Sequence, residues 1–119
     1  MNRIDRATIK ASNIPFTKGQ HRVYSIVYDK RGRTLSEASN TYTKSSPIMK
    51  SLGEDVGMPE KQFWHAECLA IHRIPYGSLP YRIVIARVNR EGESLPSAPC
   101  KVCANAIKKR GIKVIEHII

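Results

Sequence analysis

Cys100 and Cys103 stand two residues apart behind Pro99, and His65 and Glu67 stand earlier in the chain as His65-Ala66-Glu67. These four side chains constrain the fold more than any periodicity does. Two cysteines at that spacing can reach one ion from a single helical turn. A histidine at the start of a second helix supplies a third donor, so the chain must bring two helix starts together. Three protein donors leave the fourth tetrahedral position open, which marks a catalytic rather than a structural zinc site. Partial positive charge at helix starts stabilises thiolates. Residues i and i+2 of a helix do not share a face, so Glu67 is expected beside the open position and not on the ion. A carboxylate placed there is suited to moving protons.

The elements expected around these clusters alternate between strand and helix. Arg3 to Asn13 carries Ile4, Ala7 and Ala11 at helical spacing and stops before Pro15. His21 to Tyr28, largely apolar on both faces, reads as a strand. Asp29-Lys30-Arg31-Gly32 is a turn, and Arg33 to Glu37 returns as the second arm of a hairpin. Asn40 to Pro59 is irregular, with a helical turn at Pro47 to Leu52; a loop of this length in a small domain often carries function. Phe63 to Arg73 reads as a helix stopped by Pro75 and Gly77. Tyr81 to Val88 is nearly all apolar, as in an interior strand covered on both faces. Asn89 to Ser97 reads as a polar linker. Pro99 opens the next helix, which runs to Arg110 and ends at Gly111, and Ile112 to Ile118 is a final strand. This order makes the third and fourth strands parallel. The expected fold class is α/β: a mixed β-sheet, hairpin plus parallel strands, flanked by helices, in one domain across residues 1–119.

A chain of 119 residues allows one core and no second domain. Lys and Arg number 20 against 10 Asp and Glu, a formal net charge of +10. Such an excess points to an anionic partner, nucleotide or nucleic acid, with solubility alone as the plainer explanation. Three cysteines, an odd count, disfavour a disulfide framework and fit a reducing compartment with a metal site. No run approaches the roughly 18 apolar residues of a membrane span, so no membrane partner is expected. The opening MNRIDRATIK lacks the apolar stretch of a secretion signal. The expected location is cytoplasmic, or the host cytosol for a viral gene.

The two clusters together resemble the signature of the cytidine and deoxycytidylate deaminase superfamily, a His-x-Glu followed by Pro-Cys-x-x-Cys. His65, Glu67, Pro99, Cys100 and Cys103 match it residue by residue. The order of elements is also similar, so the resemblance covers almost the whole chain. It implies a three-layer cytidine-deaminase-like fold, truncated here after the fourth strand. It also implies a Zn2+ cofactor held by His65, Cys100 and Cys103. The implied reaction is hydrolytic release of ammonia from a nucleobase, with zinc-bound hydroxide as nucleophile and Glu67 as proton shuttle. Ala66 can offer a helix-start N–H to the reacting centre, and its small side chain leaves room for a flat ring. Two plainer readings stay open. Cys-x-x-Cys is also a redox pair, and Cys68 or His72 as a fourth ligand would make a closed, structural site.

Asn40 follows the second strand, where the resemblance implies an asparagine that contacts sugar or base; as a plain loop residue it would cap or turn the chain. Tyr42 and Lys44 are further candidates at the pocket mouth, Tyr42 to stack on a base and Lys44 to meet a phosphate. Phe63 and Trp64 are expected to pack the core and His72 to be structural; His21 and His117 belong to no visible constellation. The resemblance implies a cytosine nucleoside or nucleotide as substrate. Alternatives are cytosine or adenine within single-stranded DNA or RNA, and another free purine base or nucleotide. The compact form is similar to small deaminases of phages and bacteria. Relatives are often dimers or tetramers, and an exposed Ile118-Ile119 end points the same way, to a homo-oligomer.

Overall fold

Two hairpin turns of the same chemistry set the edges of the sheet. At Asp29 the Oδ1 atom accepts from the backbone N–H groups of Arg31 and Arg33, and Gly32 takes φ 86°. At Asn89 the Oδ1 atom accepts from Glu91 and Glu93, and Gly92 takes φ 84°. A side-chain acceptor followed three residues later by a residue free to adopt positive φ closes each turn without strain. The first joins β1 (Arg22–Tyr28) to β2 (Thr34–Ser39). The second joins β3 (Arg82–Val88) to β4 (Ser94–Leu95). The segment read as a polar linker thus contains a strand, which at two residues is too short to leave an alternation in the sequence.

This computed structural model describes residues 2–43, 45–58 and 63–119. β3 is the centre of the sheet. It pairs antiparallel with β1 along its whole length, Arg22 opposite Val88 and Tyr28 opposite Arg82. Its other edge is shared between two short partners. β5 (Val114–His117) runs parallel to residues 82–85, and β4 runs antiparallel to residues 87–88. The parallel pairing expected between the strand at 81–88 and the final strand is therefore present, between β3 and β5.

Period-two alternation divides the core into two layers. Ile26 and Tyr28 of β1, with Val84, Ala86 and Val88 of β3, pack against Ala7 and Ala11 of α1 (Arg3–Ser12). Val27, Ile83 and Ile85 face the other way. They pack with Ala38 against Leu69 and Ala70 of α3 (Ala66–His72) and Ile107 of α4 (Lys101–Lys109). A third cluster joins α3 and α4 to α2 (Pro47–Glu54) through Met49, Cys68, Val102, Cys103 and Ala106. The result is an α/β fold of three layers, a mixed sheet between α1 and the α2–α3–α4 layer. Among the described residues no helix is long and apolar enough to cross a membrane.

Two helix starts differ from the sequence reading. α3 begins at Ala66, not Phe63; Phe63 forms an isolated bridge with Ser45 and is 46% exposed. α4 begins at Lys101, so Pro99 precedes the cap instead of opening the helix. Ile118 is not free at the chain's end, because its N–H and C=O both pair with Ser97, while Ile119 is exposed.

Arg22 fastens the α1 layer to the sheet. It is 7% exposed, and its guanidinium donates to the carbonyls of Ser12, Ile14, Asn89 and Arg90. Arg22→Ala strips four acceptors of a charged donor, so we expect a stability loss of about 3 kcal/mol. The shift of the urea unfolding midpoint measures it, and a loss below about 1 kcal/mol contradicts the clamp.

Candidate active site

His65 and Cys100 occupy the same local position: each is the N-cap of its helix, His65 for α3 and Cys100 for α4. Both have extended backbone, with ψ 148° and 171°, and neither caps its helix with its side chain. An N-cap side chain leaves the helix axis near the unpaired N–H groups of the first turn. Cys103, in the first turn of α4, is fully buried against Met49 and Cys68. The packing of α3 on α4 brings the three together. His65 Nδ1 lies 3.4 Å from Cys100 Sγ and 3.4 Å from Cys103 Sγ. All three donor atoms lie within 4.8 Å of one another.

Ser97, which carried no signal in the sequence, holds the approach to Cys100. Its hydroxyl donates to Ile85 O at 2.8 Å and accepts from Ile118 N–H at 2.9 Å, and its own N–H donates to Ile118 O. The residues just before the cysteine are thereby stapled to β3 and to the end of β5.

The donor set suits a metal ion. Bond lengths of about 2.0–2.1 Å to nitrogen and 2.3 Å to sulfur at tetrahedral angles put neighbouring N and S ligands roughly 3.6 Å apart, close to the distances found. One imidazole with two sulfurs matches zinc's ligand preference. The charges agree. The hydrogen bond from Cys103, against the opposing effect of burial and with help from His65, pushes the Cys100 thiol down to about 3. Cys103 moves the other way, because Cys100 and Cys68 crowd it and burial adds to the cost. A cation between the two sulfurs would favour the thiolate form of both.

A fourth protein ligand is not among the described residues at this point. Cys68 Sγ touches Cys103 Sγ at 3.2 Å but does not belong to the converging set; it is a core residue behind the site. His72 is exposed and stacks on Trp64, ring centroids 5.2 Å apart.

The open side faces a cavity of about 210 Å³. Its lining includes His65, Ala66, Glu67 and Cys100 from the helix starts, Val23, Ile85 and Arg87 from the sheet, and Asn40 just past the end of β2. It lies at the carboxyl ends of the parallel strands β3 and β5, where ligands of open α/β sheets bind. Glu67 is 6% exposed. Burial raises its pKa, offset in part by its own backbone N–H and by His65. Asn40 also lines the cavity, but its amide is engaged: Oδ1 accepts from Val23 N–H and Nδ2 donates to His21 O, both at 3.0 Å. Tyr42 lines the mouth, its hydroxyl accepting from His21 N–H at 2.9 Å. Lys44 lies outside the described residues. The sequence reading passed over His21 and Arg87, which line the same cavity and touch each other.

No family model and no curated protein matches the sequence. Solved structures do. A point mutant of cytidine deaminase from Mycobacterium tuberculosis, with glutamine in place of a glutamate, matches with TM-score 0.58 and 18% identity over 97% of this chain and 82% of that one. A second mutant of that enzyme, with aspartate at the same place, matches with TM-score 0.58 and 18% identity over 97% and 79%. The unmutated enzyme gives 0.54 and 20% over 95% and 80%. The chain therefore has a cytidine-deaminase-like three-layer fold, and within it a His/Cys/Cys triad able to coordinate a metal ion.

Proposed function

We propose that this chain is a zinc-dependent deaminase acting on a cytosine nucleoside or nucleotide, with His65, Cys100 and Cys103 as metal ligands and Glu67 as the proton carrier. One observation supports it above the others: three metal-ligating atoms converge at the wall of a cavity that also holds a buried carboxyl group. When bound, zinc supplies Lewis acidity and a water acidified enough to attack at neutral pH.

The chain's own residues supply the rest. Glu67 Oε takes a proton from the attacking water and delivers it to the ring nitrogen beside the reacting carbon; it then carries the remaining hydroxyl proton of the adduct to the amine, which leaves as ammonia as the carbonyl forms. Burial equips it for both halves, since a carboxyl with a raised pKa holds a proton as well as accepting one. Ala66 sits at the first position of α3, so its N–H has no helical partner and can donate to the oxygen that forms at the reacting carbon. Val23 and Ile85 offer a flat apolar floor for the ring. Asn40 fixes the start of β1 and keeps one amide hydrogen for a sugar or base. Tyr42 is assigned to the mouth.

The test is ammonia release from a panel of cytosine and adenine nucleosides, their monophosphates and short single strands at two salt concentrations. We expect release from a cytosine nucleoside or nucleotide with little salt dependence. A strand substrate, which the net charge of +10 favours, would instead lose activity steeply with salt. No release from any member by zinc-loaded protein refutes the reading.

A further inference from the structure

We propose that Arg87, steadied by His21, is the receptor for a phosphate group of the substrate, so that the pocket takes a phosphorylated nucleoside in preference to the bare one. This rests on the deaminase reading for what lies beside Glu67. Arg87 lies opposite Val23 near the end of β3 and faces the helix layer, two residues beyond Ile85. It lines the cavity of the metal triad, where Glu67 is the only acidic lining residue among the described residues. The cavity shares Arg87 and His21 with an adjoining groove of about 300 Å³, which Arg90 also lines and which has no acidic lining residue among the described residues. A base set at Glu67 thus has room on the cationic side for what its sugar carries.

The hydrogen bonding of Arg87 is unlike that of a structural arginine. Its neighbour Arg22 spends its guanidinium on four main-chain carbonyls. Among the described residues Arg87 makes one hydrogen bond, from Nη2 to His21 Nδ1 at 2.9 Å, and its Nε, sealed from solvent, has no acceptor there. Arginine keeps its charge and can only donate, so His21 Nδ1 is the acceptor of this bond. His21 therefore orients the guanidinium. A small rotation of the side chain presents Nε–H and Nη–H together, the fork that grips two oxygens of a phosphate. The orphaned donor then gains the partner it lacks.

Calorimetry on zinc-loaded protein tests this with ligands that are not turned over: uridine, uridine 5′-monophosphate, and a short single strand with one central uracil. We expect a phosphorylated ligand to bind at least about tenfold tighter than uridine. Arg87→Ala and the milder Arg87→Gln should each abolish that preference while leaving uridine affinity within about twofold. A preference for the monophosphate identifies a free nucleotide; one confined to the strand identifies an internal phosphodiester at the same receptor. Equal binding of all three by the wild-type protein overturns the proposal whatever the variants do. So does failure of both phosphorylated ligands to bind, or a preference that survives Arg87→Gln. Absence of ammonia release from every cytosine substrate, beside an Arg87-dependent preference, sinks the deaminase reading alone.

Discussion

Glu67→Gln is expected to keep the metal and to lower ammonia release by at least about a hundredfold, and by as much as ten-thousandfold. Glutamine has nearly the volume of glutamate, so the cavity wall keeps its packing. It leaves the three donor atoms untouched, because Glu67 lies beside them and not among them. What it removes is a group able to gain and lose a proton. Removing a buried carboxyl also lifts a desolvation cost, since burial is what raises the Glu67 pKa; the variant should therefore melt no lower than the wild type. Metal content by mass spectrometry, a thermal melt and ammonia release from the best substrate together decide the matter. Normal release with normal zinc removes Glu67 from the mechanism. Loss of zinc would make it a ligand and close the open position.

Of the candidate site, the meeting of His65, Cys100 and Cys103 was legible in the sequence to the extent that its chemistry is local. His65, Glu67, Cys100 and Cys103 carry their spacing with them, and the first turn of a helix does the rest. The two long strands β1 and β3 were equally plain, because apolar residues on both faces need cover on both sides. What stayed hidden depends on chain segments meeting. Nothing near His21 marks it as a pocket residue; it becomes one because β1 pairs with β3 and sets Val23 opposite Arg87. Ser97 is one serine among several until its hydroxyl joins β3 to Ile118. The helix starts were misplaced for a related reason. Phe63 and Trp64 continue the helical pattern, yet Thr41 N–H donates to Trp64 O at 3.0 Å and Phe63 bridges to Ser45, which holds both residues extended.

Cys103→Ala is expected to take the bound metal from about one ion per chain to nearly none, and to lower the melting temperature by more than about 5 °C. Two costs are combined in that shift. Losing a buried sulfur leaves a small void among Met49, Cys68 and Ala106. Losing the ion removes the cross-link between α3 and α4, which meet here through His65 and the two cysteines. A chelator separates them. It should lower the melting temperature of the wild type but not of the variant, because the variant has no ion to give up. Cys68→Ala is the necessary companion, since Cys68 sits 3.2 Å from the same sulfur and is buried in the same cluster. It leaves a similar void, yet it should retain the metal and respond to chelator as the wild type does. If Cys68→Ala loses the ion as completely as Cys103→Ala, the site has four protein ligands. A closed site has no place for water, and the enzymatic reading then fails at its first step.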